Sequence, residues 1–196
     1  LNHPVWRMVN RITIDSATLV NKALELIEAH WLFGISHHQI EVWVHPQCIV
    51  HSLVEFADGS LKAQLSLPDT RLPILYALAY PQRPRWEEAP YRLLQLSQLS
   101  FEAVDEETFP SLRLARQALD KSRAAPALFN AADEVAVEAF LRGEIGFLDI
   151  FDVLSWALDQ PESAENPASP EELVHIEQDF RKKVQSYLHT CKVKAS

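Results

Sequence analysis

The apolar positions recur at helical spacing near the start of the chain and then switch to alternation. Val20, Ala23, Leu24, Ile27 and Trp31 form one stripe, so Asp15 to Trp31 reads as a single helix with that stripe toward a core. Asp15 and Ser16 are N-capping types, and Gly34 follows the last turn. Ile12 to Thr18 alternates like a strand and runs directly into this helix. Further on, Ile40, Val42 and Val44 alternate with Glu41, Trp43 and His45 as a strand. Ile49 to Phe56 and Leu61 to Leu67 read as two more strands, with Asp58 and Gly59 as the hairpin signal between them. Leu61, Ala63, Leu65 and Leu67 share one strand face. Leu72 to Ala79 is a short helix, ended by Tyr80 and Pro81.

Residues 80–107 read as a linker, broken by Pro81, Pro84 and Pro90 and kept wet by Arg83, Arg85, Glu87 and Glu88. Leu99 and Phe101 alternate with polar neighbours, so a short strand is expected there. From Pro110 onward the spacing is helical. Leu112, Ala115, Ala118 and Leu119 make one stripe, and Asn130 caps a helix that carries Val137, Phe140 and Leu141 and closes at Gly143. Phe147 to Leu158 is a third helix. Ser169, Pro170 and Glu172 form a capping box before a fourth, with Leu173, Ile176, Phe180, Val184 and Tyr187 on its buried face. The expected fold class is α+β: a small mixed sheet with helices packed on it, followed by a C-terminal helical bundle. The expected division is 1–79, a linker at 80–107, and a four-helix-bundle-like domain at 108–196.

Composition narrows the function classes. Apolar residues make up 47% of the 196, enough for a core. A net charge of −9 argues against nucleic-acid partners, which need basic patches. No apolar run approaches a membrane span, so no membrane partner is expected. Cys48 and Cys191 form no disulfide framework and suit a reducing compartment. With only four glycines, no dinucleotide-phosphate loop can be written. The chain opens on Leu1, almost inside a motif, and reads as a fragment or processed product.

The first helix carries the candidate chemistry. Asn21 and Glu25 lie four apart on a face away from the apolar stripe, with Lys22 beside them. An amide, an ammonium and a carboxylate near a helix N-terminus can seat a phosphate with a metal beside it. A solvated helix face carries the same residue types, and pattern alone leaves both readings open. His37, His38, His45 and His51 do not specify convergent ligand geometry and read as ordinary surface or hydrogen-bonded histidines. Asp105, Glu106 and Glu107 read as a solvated acidic turn, and Trp31 and Trp156 as core residues.

Longer motifs add a family resemblance. His3-Pro4, Trp6 and Met8; Ile12 through Thr18; Asn21-Lys22 and Glu25; and Ile27 through Phe33 follow one another in a distinctive order. Glu41 through Gln47, His51-Ser52 with Glu55 and Ser60, Pro68-Asp69 with Arg71 and Pro73-Ile74, Leu128 through Val135, and Ile145 through Ile150 continue it. From residue 3 to residue 150 the chain resembles the second half of the 1-deoxy-D-xylulose 5-phosphate reductoisomerase family.

That resemblance implies a central catalytic α/β domain and a C-terminal bundle, without the N-terminal NADPH-binding domain. It implies rearrangement and NADPH reduction of 1-deoxy-D-xylulose 5-phosphate to 2-C-methyl-D-erythritol 4-phosphate in non-mevalonate isoprenoid synthesis, with Mg²⁺, Mn²⁺ or Co²⁺. Ser16, Asn21 and Lys22 are then expected on the substrate phosphate, with His3 close to the substrate. Glu25 is expected to face the substrate and to be one of three carboxylate metal ligands. Trp6 becomes a lid, and Val9 lies against NADPH where the family has Gly. Ala23, Cys48 and Thr70 also depart from the family's Gly, Ser and Met. A phosphorylated sugar substrate, a homodimer through the central sheet, and a bacterial cytoplasmic or plastid-stroma location follow from the same resemblance. The competing reading is an inactive dimerisation or interaction module with a vestigial phosphate site.

Overall fold

The computed structural model describes residues 10–86 and 98–194. His3, Trp6 and Val9 lie outside the described residues. The chain forms α1 (Asn10–Ala17), α2 (Val20–Phe33), β1 (Trp43–Val44), β2 (Val50–Glu55), β3 (Leu61–Leu65), α3 (Arg71–Ala79), β4 (Glu102–Ala103), α4 (Ser111–Lys121), α5 (Ala125–Leu141), α6 (Asp149–Leu158) and α7 (Pro170–Lys194). The class is α+β, as the hydrophobic pattern predicts. The described strands form two antiparallel ladders, β1 with β4 and β2 with β3. The backbone gathers into two compact units, residues 1–42 with 105–196 and residues 43–104.

In the first unit α5 is the hub, packing against α1, α4, α6 and α7. Its sequence explains why. Ala125, Ala131, Ala132, Ala136 and Ala139 are fully buried, and such small side chains let several helices approach one axis. Leu128, Phe129 and Val137 fill the gaps between them. Burying a ring such as Phe129 contributes roughly 2–3 kcal/mol. Phe180, Val184 and Leu188 lay the stripe of α7 on this hub. Trp156 stacks on Tyr187 with ring centroids 4.1 Å apart, which agrees with a packing role. The α7 start is capped as expected, the Glu172 amide donating to Ser169 Oγ at 3.2 Å.

Several sequence expectations fail here. Asn130 is no cap: it lies inside α5, which starts at Ala125. Ile12 to Ala17 is helical, and Thr13, Ile14 and Asp15 are all buried in it, so this short helix is enclosed on more than one side. Asp15 and Ser16 therefore end one helix and do not begin another. Trp31 is 61% exposed, since the buried face of α2 is Val20, Ala23 and Leu26 and this stripe does not reach the last turn.

In the second unit β2 pairs with β3 in the register Leu53↔Ala63 and Glu55↔Leu61, slipping between Val50 and Ser52. Asp58 and Gly59 form the turn, with Gly59 at φ 81°, where a side chain would be strained. The expected strand at 40–44 shortens to β1, and the strand expected near Leu99 forms at β4. His45 Nδ1 lies 2.8 Å from the Ser100 carbonyl oxygen, and its ring stacks on Phe101. His51 Nε2 lies 3.1 Å from the Ser66 carbonyl oxygen. Both contacts explain these histidines without a metal.

Candidate active site

The candidate site is built on the junction between α1 and α2. Thr18 is fully buried there. Its hydroxyl donates to the Ile14 carbonyl at 2.9 Å, and its carbonyl accepts from the Ser111 hydroxyl of α4 at 2.8 Å. Leu19 follows at φ 59°, a left-handed conformation that costs a branched residue on the order of 1 kcal/mol. This single residue turns the chain out of α1, so Ser16 lies just before the turn and Asn21 and Lys22 just after it. The α2 N-terminus opens at the same place, and Gly34 at φ 63° closes its other end.

Asn21, Lys22 and Glu25 do come together. Asn21 Nδ2 donates to Glu25 Oε1 at 2.7 Å, and Lys22 Nζ donates to Glu25 Oε2 at 2.6 Å. The Lys22 and Glu25 side chains are 43% and 47% exposed, so this ion pair stabilises the fold by well under about 1 kcal/mol. A ligand can displace it cheaply. Lys22 keeps two further N–H donors for a phosphate. Glu25 offers one carboxylate, and among the described residues it belongs to no group of three or more His, Cys, Asp or Glu ligand atoms. One carboxylate fits a hard divalent ion only as part of a shared ligand set, because such ions take about six oxygens.

Sequence reasoning missed the charged cluster that underlies this junction. Arg11 donates to Glu134 at 2.7 Å and lies 3.5 Å from Asp15 and 3.7 Å from Asp133. Arg181 of α7 pairs with Glu134 and, at 2.6 Å, with Glu177. Burial pushes the Asp133 carboxyl up to about 8, helped by the nearby Asp15 charge and opposed by Arg11. Burial raises Asp15 to about 6, with Arg11 opposing. Both Asp133 oxygens and one of Asp15 are buried without a hydrogen-bond partner, so burial and mutual repulsion favour the protonated form of this pair. Burial also acts on Glu134, but hydrogen bonds from Arg181 and Arg11 outweigh it and hold its carboxyl below the usual range. The signal was present: two adjacent acids at 133 and 134 interrupt an otherwise small and apolar helix. Asp15 thus ties the residue next to Ser16 to the core helix.

Fold and site together define a helix junction that gathers an amide, an ammonium and a carboxylate on an α+β scaffold. Two family models match, the 1-deoxy-D-xylulose 5-phosphate reductoisomerase C-terminal domain over residues 1–33 and the DXP reductoisomerase C-terminal domain over residues 65–183. The chain belongs to the 1-deoxy-D-xylulose 5-phosphate reductoisomerase family. A reductoisomerase of Symbiobacterium thermophilum is 56% identical over 167 residues, covering 85% of this chain and 43% of that protein. A crystal structure of a DOX-P reductoisomerase in complex with NADPH, fosmidomycin and magnesium superposes with a TM-score of 0.90 at 41% identity, over 97% of this chain and 49% of that one. The Zymomonas mobilis enzyme in complex with NADPH gives 0.84 at 43% identity, over 91% and 47%. The chain spans about half the length of the curated relatives it matches.

Proposed function

We propose that this chain forms the substrate-phosphate side, and one metal ligand, of a 1-deoxy-D-xylulose 5-phosphate reductoisomerase. The observation that carries the reading is the convergence of Asn21, Lys22 and Glu25 beside the strained Leu19 turn. Lys22 neutralises the phosphate as a point charge, and Asn21 and Ser16 orient it as directional donors. Glu25, released from Lys22 when the phosphate arrives, turns its oxygens to the divalent metal and the substrate. When bound, the metal polarises the adjacent oxygens of the hydroxyketone, and NADPH supplies the hydride. The magnesium and NADPH complexes of the solved relatives support both assignments. By the family resemblance His3 is assigned to the substrate, Trp6 to a lid that excludes water, and Val9 to the NADPH side.

A homodimer through the central sheet belongs to the same reading. Leu61, Ala63 and Leu65 share a face of the β2–β3 ladder with Leu53, and the three leucines are 65%, 37% and 46% exposed at 61, 65 and 53. Such an apolar strand face supports burial against a second copy. Among the described residues no helix is long and apolar enough to cross a membrane. The bacterial relatives and the free Cys48 support a bacterial cytoplasm as the compartment.

The test is NADPH oxidation by the 196-residue protein supplied with 1-deoxy-D-xylulose 5-phosphate and Mn²⁺. With Glu25 as one ligand of several, the expected result is no turnover and weak metal binding. Steady oxidation would show that the chain holds a complete site and would overturn the division of labour proposed here.

A further inference from the structure

We propose that His37, His38 and Asp120 form a second divalent-metal site, suited to Zn²⁺ and separate from Glu25. The sequence discounts these histidines because a loop pair with strand histidines does not specify convergent ligand geometry. The fold supplies a third ligand from α4, 83 positions along the chain: His37 Nε2 lies 2.8 Å from Asp120 Oδ1. The His38 ring sits beside that of His37, centroids 4.0 Å apart. One ligand atom from each of the three residues lies within 4.8 Å of the others. In a tetrahedral zinc site the ligand atoms are about 3.3 Å apart, so the three must close up, and His38 and Asp120 are exposed side chains.

The turn that presents the pair is already fixed. Ser36 caps the 3-10 turn His37–Gln39: its hydroxyl accepts from the His38 amide, and its amide donates to the Gln39 side chain. Arg116, one helical turn before Asp120 on α4, donates to the His37 carbonyl and, at 2.9 Å, to the Ile40 carbonyl. The same helix therefore anchors the turn and aims the carboxylate at it. The His37 side chain is 7% exposed, while Asp120 is 60% exposed, so one ligand is held rigidly and the site opens to water. His37 Nδ1 is buried without a hydrogen-bond partner. A cation at Nε2 replaces the direct contact with Asp120 and leaves the ring proton on Nδ1, so Asp120 changes from hydrogen-bond partner to fellow ligand. Two imidazoles and one carboxylate, with an open fourth position, favour Zn²⁺ over Mg²⁺ or Ca²⁺.

The experiment is a Zn²⁺ titration of the chelator-stripped chain by calorimetry, with Co²⁺ absorption as a report on geometry. His38→Ala and Asp120→Asn are used because both side chains are exposed and Asp120→Asn keeps an acceptor oxygen for His37 Nε2; Glu25→Gln controls for the other carboxylate. The expected result is one zinc per chain, weakened roughly tenfold or more by either His38→Ala or Asp120→Asn and unchanged by Glu25→Gln. The Co²⁺ form shows the intense visible bands of a tetrahedral ion, and Mg²⁺ in excess does not displace it. Wild type that binds no zinc overturns the proposal. So does zinc binding that survives both site variants, or that is lost with Glu25→Gln alone.

Discussion

Asp133→Asn isolates the buried proton that ties the site to the core. Asp133 is fully buried, and its carboxyl is pushed from 3.8 to about 8, chiefly by burial. The folded chain therefore holds a proton that the unfolded chain releases near 3.8. Between these values the folded state binds more protons, so stability is greatest below the unfolded value, falls as the pH rises, and is fully lost for this group above about 8. At about 1.4 kcal/mol per unit, holding the proton costs on the order of 4 kcal/mol at about pH 7. An asparagine has nearly the same shape and nothing to titrate. The variant is expected to gain on the order of 2–4 kcal/mol over wild type at about pH 7, and almost nothing at about pH 4. Urea unfolding followed by circular dichroism at several pH values measures this difference. A difference that does not change with pH, or a variant less stable than wild type at about pH 8, would refute the account of a proton held on Asp133 by burial.

Three further outcomes follow from the geometry. Ser111→Ala removes the hydroxyl that donates to the buried Thr18 carbonyl, so thermal unfolding should show a loss of about 1–3 kcal/mol, and fosmidomycin binding should weaken as the Leu19 turn loosens. Glutamates at Leu61 and Leu65 together should abolish self-association in sedimentation velocity while helix content by circular dichroism stays unchanged; a persistent dimer would move the interface elsewhere. Phe129→Ala, which empties the centre of the helical unit, should cost about 3–5 kcal/mol in the same urea assay.

The helices of the second half were legible because their stripes repeat at constant spacing and face one hub. Leu112, Ala115 and Ala118, or Phe180 and Val184, lie where periodicity places them. The α1–α2 junction was not legible. Its residues alternate like a strand, and its turn is made by Leu19, a residue whose side chain disfavours the conformation it adopts. Tertiary contacts, Ser111 on Thr18 and Arg11 on Glu134, join the local Thr18–Ile14 bond in holding it there. Asn21, Lys22 and Glu25 were visible because i, i+3 and i+4 positions meet on any helix. The Asp15–Asp133 pair and the approach of Asp120 to His37 join residues distant in sequence, which no local pattern encodes.

The central claim is that the α2 N-terminus seats the substrate phosphate. Calorimetric titration of the chain with fosmidomycin tests it most directly, with the Asn21→Ala, Lys22→Ala double variant alongside. The account predicts binding by wild type and a loss of roughly tenfold or more in the double variant, whose two missing donors include a full positive charge. Wild type that binds no better than the double variant would contradict it.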